Sequence, residues 1–332
     1  MLEHGGLLRQ AAQRYGIATE HWLDLSTGIN PNAWPVPALN THAWNRLPET
    51  DDGLLDAAAS YFGTAHLLPV AGSQAAIQAI PRLRTPCRVG ILAPGYAEHA
   101  LAWRQARHDV EPLVPSNIDA ALARLDVLIL ANPNNPTGER FDAATLLRWH
   151  AALSAKNGWL IVDEAFIDAT PERSLAAFSA QPGLIVLRSL GKFFGLAGAR
   201  VGFVLAEPSF LQILEELLGP WAVSGPSRIV AQLALADRAW QEKTRQRLRG
   251  DAERLRKVLV AGGLAISGGT ELFQWVVTPQ AAALRERLAR RGILVRKFGA
   301  PASLRFGLPA NETEWQHLCS SLAVLMPAET TP

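Results

Sequence analysis

Lys192 stands in the stretch SLGKFFGLAGAR (189–200), directly after the apolar run LIVLRSL (184–190). A surface lysine needs no glycines around it, yet Gly191, Gly195 and Gly198 flank this one. Glycines let a backbone run close to a bound molecule, and desolvation favours the neutral, nucleophilic amine. Ser189 and Arg200, at the two ends of the stretch, add a hydroxyl and a forked cation, a pair suited to a phosphate group.

Four further loops follow short apolar runs. Asp163 ends WLIV (159–162) and opens DEAF (163–166). A carboxylate at the end of a buried run is expensive to desolvate unless it meets a cation or donor. Asp163 is thus a candidate counter-ion for a buried protonatable nitrogen, with helix capping as its structural alternative. Glu164 reads equally well as a solvent-facing neighbour. NPNNPTG (132–138) follows LILA and forms a rigid turn in which Asn135 can present its amide to a ligand oxygen. In PGYAEH (94–99), Tyr96 is placed to stack on a planar ligand or to pack on its own loop. AGSQ (71–74) follows LLPV; Gly72, Ser73 and Gln74 open a helix whose N–H groups, with the Ser73 hydroxyl, can hold an anion. A nucleophilic lysine, a carboxylate for a ring nitrogen, an amide, a stacking aromatic and a phosphate cradle together describe pyridoxal 5'-phosphate. The eight histidines make no ligand pattern, so no metal is expected.

These loops need strands to carry them. From residue 68 to 206 the chain alternates apolar runs (RVGILA, DVLILA, WLIVDEAF, LIVLRSL, RVGFVLAE) with helix-like segments. Runs of Val, Ile and Leu without polar alternation predict strands buried on both faces, hence a mainly parallel sheet with helices on each side. In such sheets ligands bind at the carboxyl ends of the strands. After a helix expected near Ser227 and a long charged helix, ELFQWVVT, GILVRKF and SLRFGLP predict a smaller sheet. STGINPNAWPVP (26–37) is too rich in proline for a helix or central strand. The predicted organisation is α/β: an N-terminal arm (1–44) packing with the small domain, a large domain (45–225) and a small α/β domain (226–332).

With 332 residues, nearly half of them hydrophobic, and a formal charge of +2, the chain has ample core and no electrostatic footprint for nucleic acid. Cys87 and Cys319 have no CxxC spacing and read as reduced thiols. The first residues lack the apolar core of a secretory leader, and no apolar run reaches membrane-spanning length. A cytoplasmic location without membrane contact is expected.

The motifs AGSQ, PGY, NPNNPTG, DEAF and SLGKFFGLAGAR, in that order, resemble those of fold-type I pyridoxal-phosphate enzymes of the aspartate aminotransferase superfamily. The resemblance covers essentially the whole chain. It implies a large domain with a mainly parallel, seven-stranded type of sheet, a smaller α/β domain, a site between them and a homodimer. It also implies that Lys192 carries the cofactor covalently, Asp163 pairs with the pyridine nitrogen and Asn135 bonds the ring hydroxyl. Tyr96 then stacks on the ring, Gly72, Ser73, Gln74, Ser189 and Arg200 surround the phosphate, and Arg305 in SLRFGLP matches the family's carboxylate-binding arginine. The chain departs at Phe166 and at Leu47, where relatives often carry tyrosines that touch the ring hydroxyl and the partner subunit's phosphate.

Within the superfamily the sequence is most similar to histidinol-phosphate aminotransferases and to threonine-phosphate decarboxylases of cobalamin biosynthesis. HGG (4–6), DLSTGINP (24–31) and DEAF are similar to the decarboxylase pattern. The expected reaction converts a small phosphorylated amino acid, L-threonine O-3-phosphate, to (R)-1-amino-2-propanol O-2-phosphate and CO2. Candidate anion clamps for the substrate are His4, Asn30, Arg296 and Arg305, and Tyr96 or Lys192 supplies the proton. The alternatives are a histidinol-phosphate aminotransferase and, from another class, a non-catalytic binding protein on the same fold. A nicotinamide-binding protein fits less well, because GLAGAR lacks the GxGxxG spacing.

Overall fold

A computed structural model of the chain describes residues 4–325. Its contacts divide it into two units: a larger one of Ala33–Asn135 and Glu139–Lys243, and a smaller one of the segment up to Asn32, Pro136–Gly138 and the segment from Thr244. The larger unit therefore starts before residue 45 and ends after residue 225. Two contacts explain this. The Trp34 indole N–H donates to Asp237 at 3.0 Å, and Arg228, in the helix Gly225–Ala236, forks onto both oxygens of Asp52 at 2.5 and 2.8 Å.

Numbered in chain order, β1 (Leu23–Leu25) lies in the smaller unit. The larger unit holds β2 (Leu67–Val70), β3 (Arg88–Leu92), β4 (Asp109–Leu113), β5 (Val127–Ala131), β6 (Trp159–Asp163), β7 (Leu184–Ser189) and β8 (Gly202–Leu205). The smaller unit continues with β9 (Gly268–Thr270), β10 (Phe273–Val277), β11 (Ile293–Phe298) and β12 (Ser303–Gly307).

In the larger unit the seven strands run in the order β2-β8-β7-β6-β5-β3-β4. Every strand is parallel to the others except β8, which is antiparallel to both neighbours. The consequence is geometric. The carboxyl ends of β2, β3, β5, β6 and β7 lie along one edge, and the amino end of β8 returns to it. The loops carrying Ser73, Tyr96, Asn135, Lys192 and Arg200 are thereby delivered to the same edge, with Asp163 ending its own strand there.

All five residues of β5 and four of β6 are buried, as unalternated Val/Ile/Leu runs require. Ile129, Ile161, Ile185, Leu187, Val204 and Trp103 form part of one continuous core, each large side chain contributing about 1.5–3 kcal/mol by its burial. β4 has no counterpart among the strands read from the sequence. Its residues DVEPL include two carboxylates and a proline, tolerable because β4 pairs only with β3 at the sheet edge.

In the smaller unit β1 pairs in parallel with β11, and β11, β12, β10 and β9 follow antiparallel. Phe273, Phe306, Leu304, Ile293, Trp315 and Leu318 are buried there. The helix Leu8–Tyr15 ends at Gly16 in the left-handed region (φ 67°), and Tyr15 donates its hydroxyl to Glu286 at 2.6 Å. Among the described residues no helix is long and apolar enough to cross a membrane.

Candidate active site

A cavity of about 130 Å³ opens at the edge where the strand ends converge, lined by Ser73, Gln74, Tyr96, Asn135, Asp163, Ser189, Lys192 and Arg200 among others. The structure thus gathers every large-unit candidate except Gly72 in the wall, and Gly72 adjoins it as the residue before the helix Ser73–Ala79.

Gly72 has φ 72° and ψ 156°, a backbone state open essentially to glycine. A Cβ at this position would come 2.6 Å from Arg200 Nη2. The guanidinium therefore lies against bare backbone at the mouth of a helix. Arg200 itself is left-handed (φ 53°, ψ 52°), an uncommon state for a side chain of its size, and its Nη1 donates to the Ala197 carbonyl at 3.2 Å. Gly202 lets β8 pass close by, for a Cβ there would meet the Ser73 nitrogen at 2.5 Å. Ser189, paired in register with Gly202, accepts the Gly191 N–H on its hydroxyl at 3.2 Å.

Asp163 is 5% exposed and both its oxygens are engaged. Oδ1 accepts the Ala165 N–H at 3.0 Å, and Oδ2 lies 3.0 Å from His99 Nε2. His99 was not among the sequence candidates. Its signal was the spacing in PGYAEH: it sits three residues after Tyr96, in the first turn of the helix Ala97–Gln105, and its ring meets the Tyr96 ring edge-on at 6.1 Å. Tyr96 donates its hydroxyl to Gln74 Oε1 at 3.2 Å, and Gln74 Nε2 donates to Glu98 at 3.0 Å.

Lys192 is half-buried, with its Nζ 5.8 Å from the centroid of the Phe166 ring. Phe166, the departure from the tyrosine common in relatives, is itself buried and offers an apolar face there. In the Asn135 loop, the Asn134 amide donates to the Pro94 carbonyl at 2.8 Å, and Asn132 exchanges two bonds with Phe141. The remaining asparagines of NPNNPTG are thus committed to holding the turn. Leu47 lies 63% exposed.

Glu164 corrects the reading of a solvent-facing neighbour. It is wholly buried, accepting the Leu175 N–H at 2.7 Å and the Ser174 hydroxyl at 2.5 Å, with Arg188 Nη1 3.4 Å away. Arg188 also bonds Asp168, which accepts the Tyr61 hydroxyl at 3.0 Å. Strand alternation explains the arrangement: Arg188 leaves β7 on the face opposite to Leu187 and Ser189. Burial pushes the Glu164 carboxyl up, against the pull of Arg188.

The substrate candidates belong to the smaller unit. Arg296 and Arg305 stand directly opposite each other on β11 and β12, and Arg305, 6% exposed, donates Nη2 to the Ser26 carbonyl at 2.9 Å. Asn30 is buried, its side-chain oxygen accepting Arg247 Nη2 at 2.8 Å and the Asn32 N–H at 3.1 Å. His4 lines a cavity of about 510 Å³ together with Arg296, Arg14 and Arg285.

Residues 20–322 match the family model for class I and II aminotransferases, and the chain belongs to that family. It is 58% identical over 322 residues to the threonine-phosphate decarboxylase of Pseudomonas aeruginosa, covering 97% of each chain. It is 44% identical to the threonine-phosphate decarboxylase of a Sinorhizobium species, over 96% of this chain and 97% of the relative. In three dimensions it is similar to the histidinol-phosphate aminotransferase of Sinorhizobium meliloti in complex with pyridoxal-5'-phosphate. That match has TM-score 0.80 and 22% identity, covers 98% of this chain and 95% of the other, and establishes the shared fold.

Proposed function

We propose that the protein decarboxylates L-threonine O-3-phosphate to (R)-1-amino-2-propanol O-2-phosphate and CO2, with pyridoxal 5'-phosphate as its cofactor. The observation that carries the proposal is the convergence of Lys192, Asp163, Asn135, Tyr96 and the Ser73–Ser189–Arg200 group on one cavity. The cradle at Gly72, which a Cβ would fill, fits a phosphate beside Arg200. The two relatives that share most of their length with the chain at 58% and 44% identity are named for this reaction.

In this reading Lys192 Nζ would hold the aldehyde of the cofactor, Asp163 its ring nitrogen, Asn135 its ring hydroxyl and Ser73, Gln74, Ser189 and Arg200 its phosphate, with Tyr96 over the ring. Bound there, pyridoxal phosphate supplies an electron sink for the pair released when a bond to the substrate's Cα breaks. His99 fixes Asp163 through its Nε2–H, and the Ala165 N–H fixes the other oxygen, so the carboxylate is held in place before any ligand arrives. Arg305, Arg296, His4 and Asn30 are assigned to the substrate's anions. Gripping them sets which Cα bond is aligned for cleavage, using binding energy remote from the reacting carbon. The bond from Cα to the carboxylate carbon breaks, CO2 leaves, and one proton takes its place. We assign that proton to Lys192 Nζ, which the substrate's own amine would displace from the cofactor, since the Tyr96 hydroxyl hydrogen is directed to Gln74.

The same reading extends to a cytoplasmic homodimer acting in cobalamin biosynthesis. Trp44, Leu47, Leu217 and Trp221 of the larger unit are 69%, 63%, 42% and 58% exposed, large apolar side chains of the type that a second subunit can cover.

The test uses purified, cofactor-loaded protein with L-threonine O-3-phosphate and no keto acid, following CO2. Steady release over many turnovers is expected. Amino transfer from histidinol phosphate to 2-oxoglutarate without CO2 release would replace the decarboxylase by an aminotransferase.

A further inference from the structure

Trp275 lies on β10 directly opposite Arg305 of β12, and Arg305 in turn lies opposite Arg296 of β11. Residues opposed in register share a face of the sheet, so the three side chains form one row. Trp275 is only 8% exposed, and its indole nitrogen is buried with no hydrogen-bond partner among the described residues. A buried donor left unpaired is uncommon and marks either strain or the place of an absent acceptor.

The ring's orientation favours the acceptor. A Cβ on Gly268 of β9 would lie 3.6 Å from Trp275 Cε3. The benzo edge therefore lies toward β9, on the side of β10 away from β12 and Arg305.

The next two residues of the row are cationic. Arg296 and Arg305 place two guanidiniums side by side on adjacent strands, a concentration of positive charge suited to an anion. Asp24 is the carboxylate whose charge is felt at Arg305, and its Oδ1 accepts the Ser26 N–H at 2.9 Å and the Ser26 hydroxyl at 2.6 Å. Burial first, and then the charge of Arg296, push Arg305 down to about 10, which an oxyanion in the row would reverse. Phe273, its ring centroid 5.1 Å from the Arg305 guanidinium carbon, closes the row with an apolar wall.

We propose that the Trp275 indole N–H is a third donor, with Arg305 and Arg296, to an oxyanion of the substrate, and so a determinant of substrate specificity. The inference rests on the decarboxylase reading for the identity of that substrate, whose carboxylate and phosphate present the same acceptor chemistry. A neutral N–H cannot neutralise charge. It adds direction, selecting anions with an oxygen at the indole edge.

Trp275→Phe, prepared as cofactor-loaded protein, is compared with wild type by calorimetric titration with O-phosphoethanolamine, which lacks the carboxylate, and L-threonine, which lacks the phosphate. Loss of a hydrogen bond to a charged acceptor predicts about ten-fold weaker binding or more, for the first probe if the donor serves phosphate and for the second if it serves carboxylate. In turnover of L-threonine O-3-phosphate the loss falls mainly on KM. Unchanged affinity for both probes overturns the proposal. Should Trp275→Phe not fold, 3-benzothienylalanine at position 275 keeps the bicyclic shape and removes only the N–H, with the same outcomes expected. A wild-type protein that binds the probes but releases no CO2 defeats the decarboxylase reading, while the comparison of affinities still decides Trp275.

Discussion

His99 Nε2 lies 3.0 Å from Asp163 Oδ2, and the two side chains are 5% and 6% exposed. The helix Ala97–Gln105 and strand β6 are thus bolted together at the atom on which the proposed cofactor site depends. Without His99, Asp163 keeps only the Ala165 N–H among its contacts described above. Replacing His99 with Ala should lower kcat/KM by about ten- to a hundred-fold, the loss of one charge-assisted bond in a water-poor site. Cofactor affinity, measured by titrating apoprotein and following absorbance, should weaken in parallel. Equal cofactor affinity in the variant would mean that Asp163 is held well enough by its backbone contact alone.

Gly72 and Arg200 make a second coupled pair. Gly72→Ala inserts a methyl group 2.6 Å from the guanidinium and imposes a side chain on φ 72°. The backbone strain is about 1–3 kcal/mol, and Arg200 must move. Affinity for pyridoxal phosphate should fall by at least about ten-fold, the equivalent of 1.4 kcal/mol, with the loss concentrated in phosphate recognition. Titration with pyridoxal, which lacks the phosphate, is the control: a loss as large as that for pyridoxal phosphate would remove Arg200 from the cradle.

Asp52 and Arg228 give the larger unit a pH-dependent tie. Burial raises the Asp52 carboxyl, but the hydrogen bonds from Arg228 and from the Leu54 N–H outweigh it and hold the group below its ordinary value of 3.8. A depressed carboxyl stabilises the fold fully above its unfolded value, and that contribution is lost as the pH falls through the folded value. Wild type should therefore lose stability more steeply than Asp52→Asn in the acid range below 3.8. At pH 6 the variant should be less stable by about 1–3 kcal/mol, because Arg228 is 7% exposed and loses its charged partner. Urea unfolding at stepped pH tests both statements, and parallel acid slopes for the two proteins would refute the linkage.

The sequence by itself determined the parts of the protein that depend on local pattern. Unbroken apolar runs announced β3, β5, β6, β7 and β8, because strands covered on both faces leave no room for polar alternation. Glycines beside Lys192 and after β2 announced close backbone approach, and the ends of the runs announced where Asp163, Asn135 and Tyr96 would stand. β4 escaped notice because an edge strand tolerates polar residues and proline.

Only the tertiary structure decided which long-range partners the polar residues meet. His99 became the partner of Asp163 across 64 positions. Glu164 turned inward to a buried set with Arg188 and Asp168, although its neighbours in the sequence are equally consistent with an exposed carboxylate. Trp275 came to lie beside Arg305 through the register of two antiparallel strands. Periodicity records which face of an element is buried, because burial acts on each residue through its own hydrophobicity. It carries no record of which distant donor a buried carboxylate or indole will face, since that depends on strand order and register, which are fixed by the packing of the whole sheet.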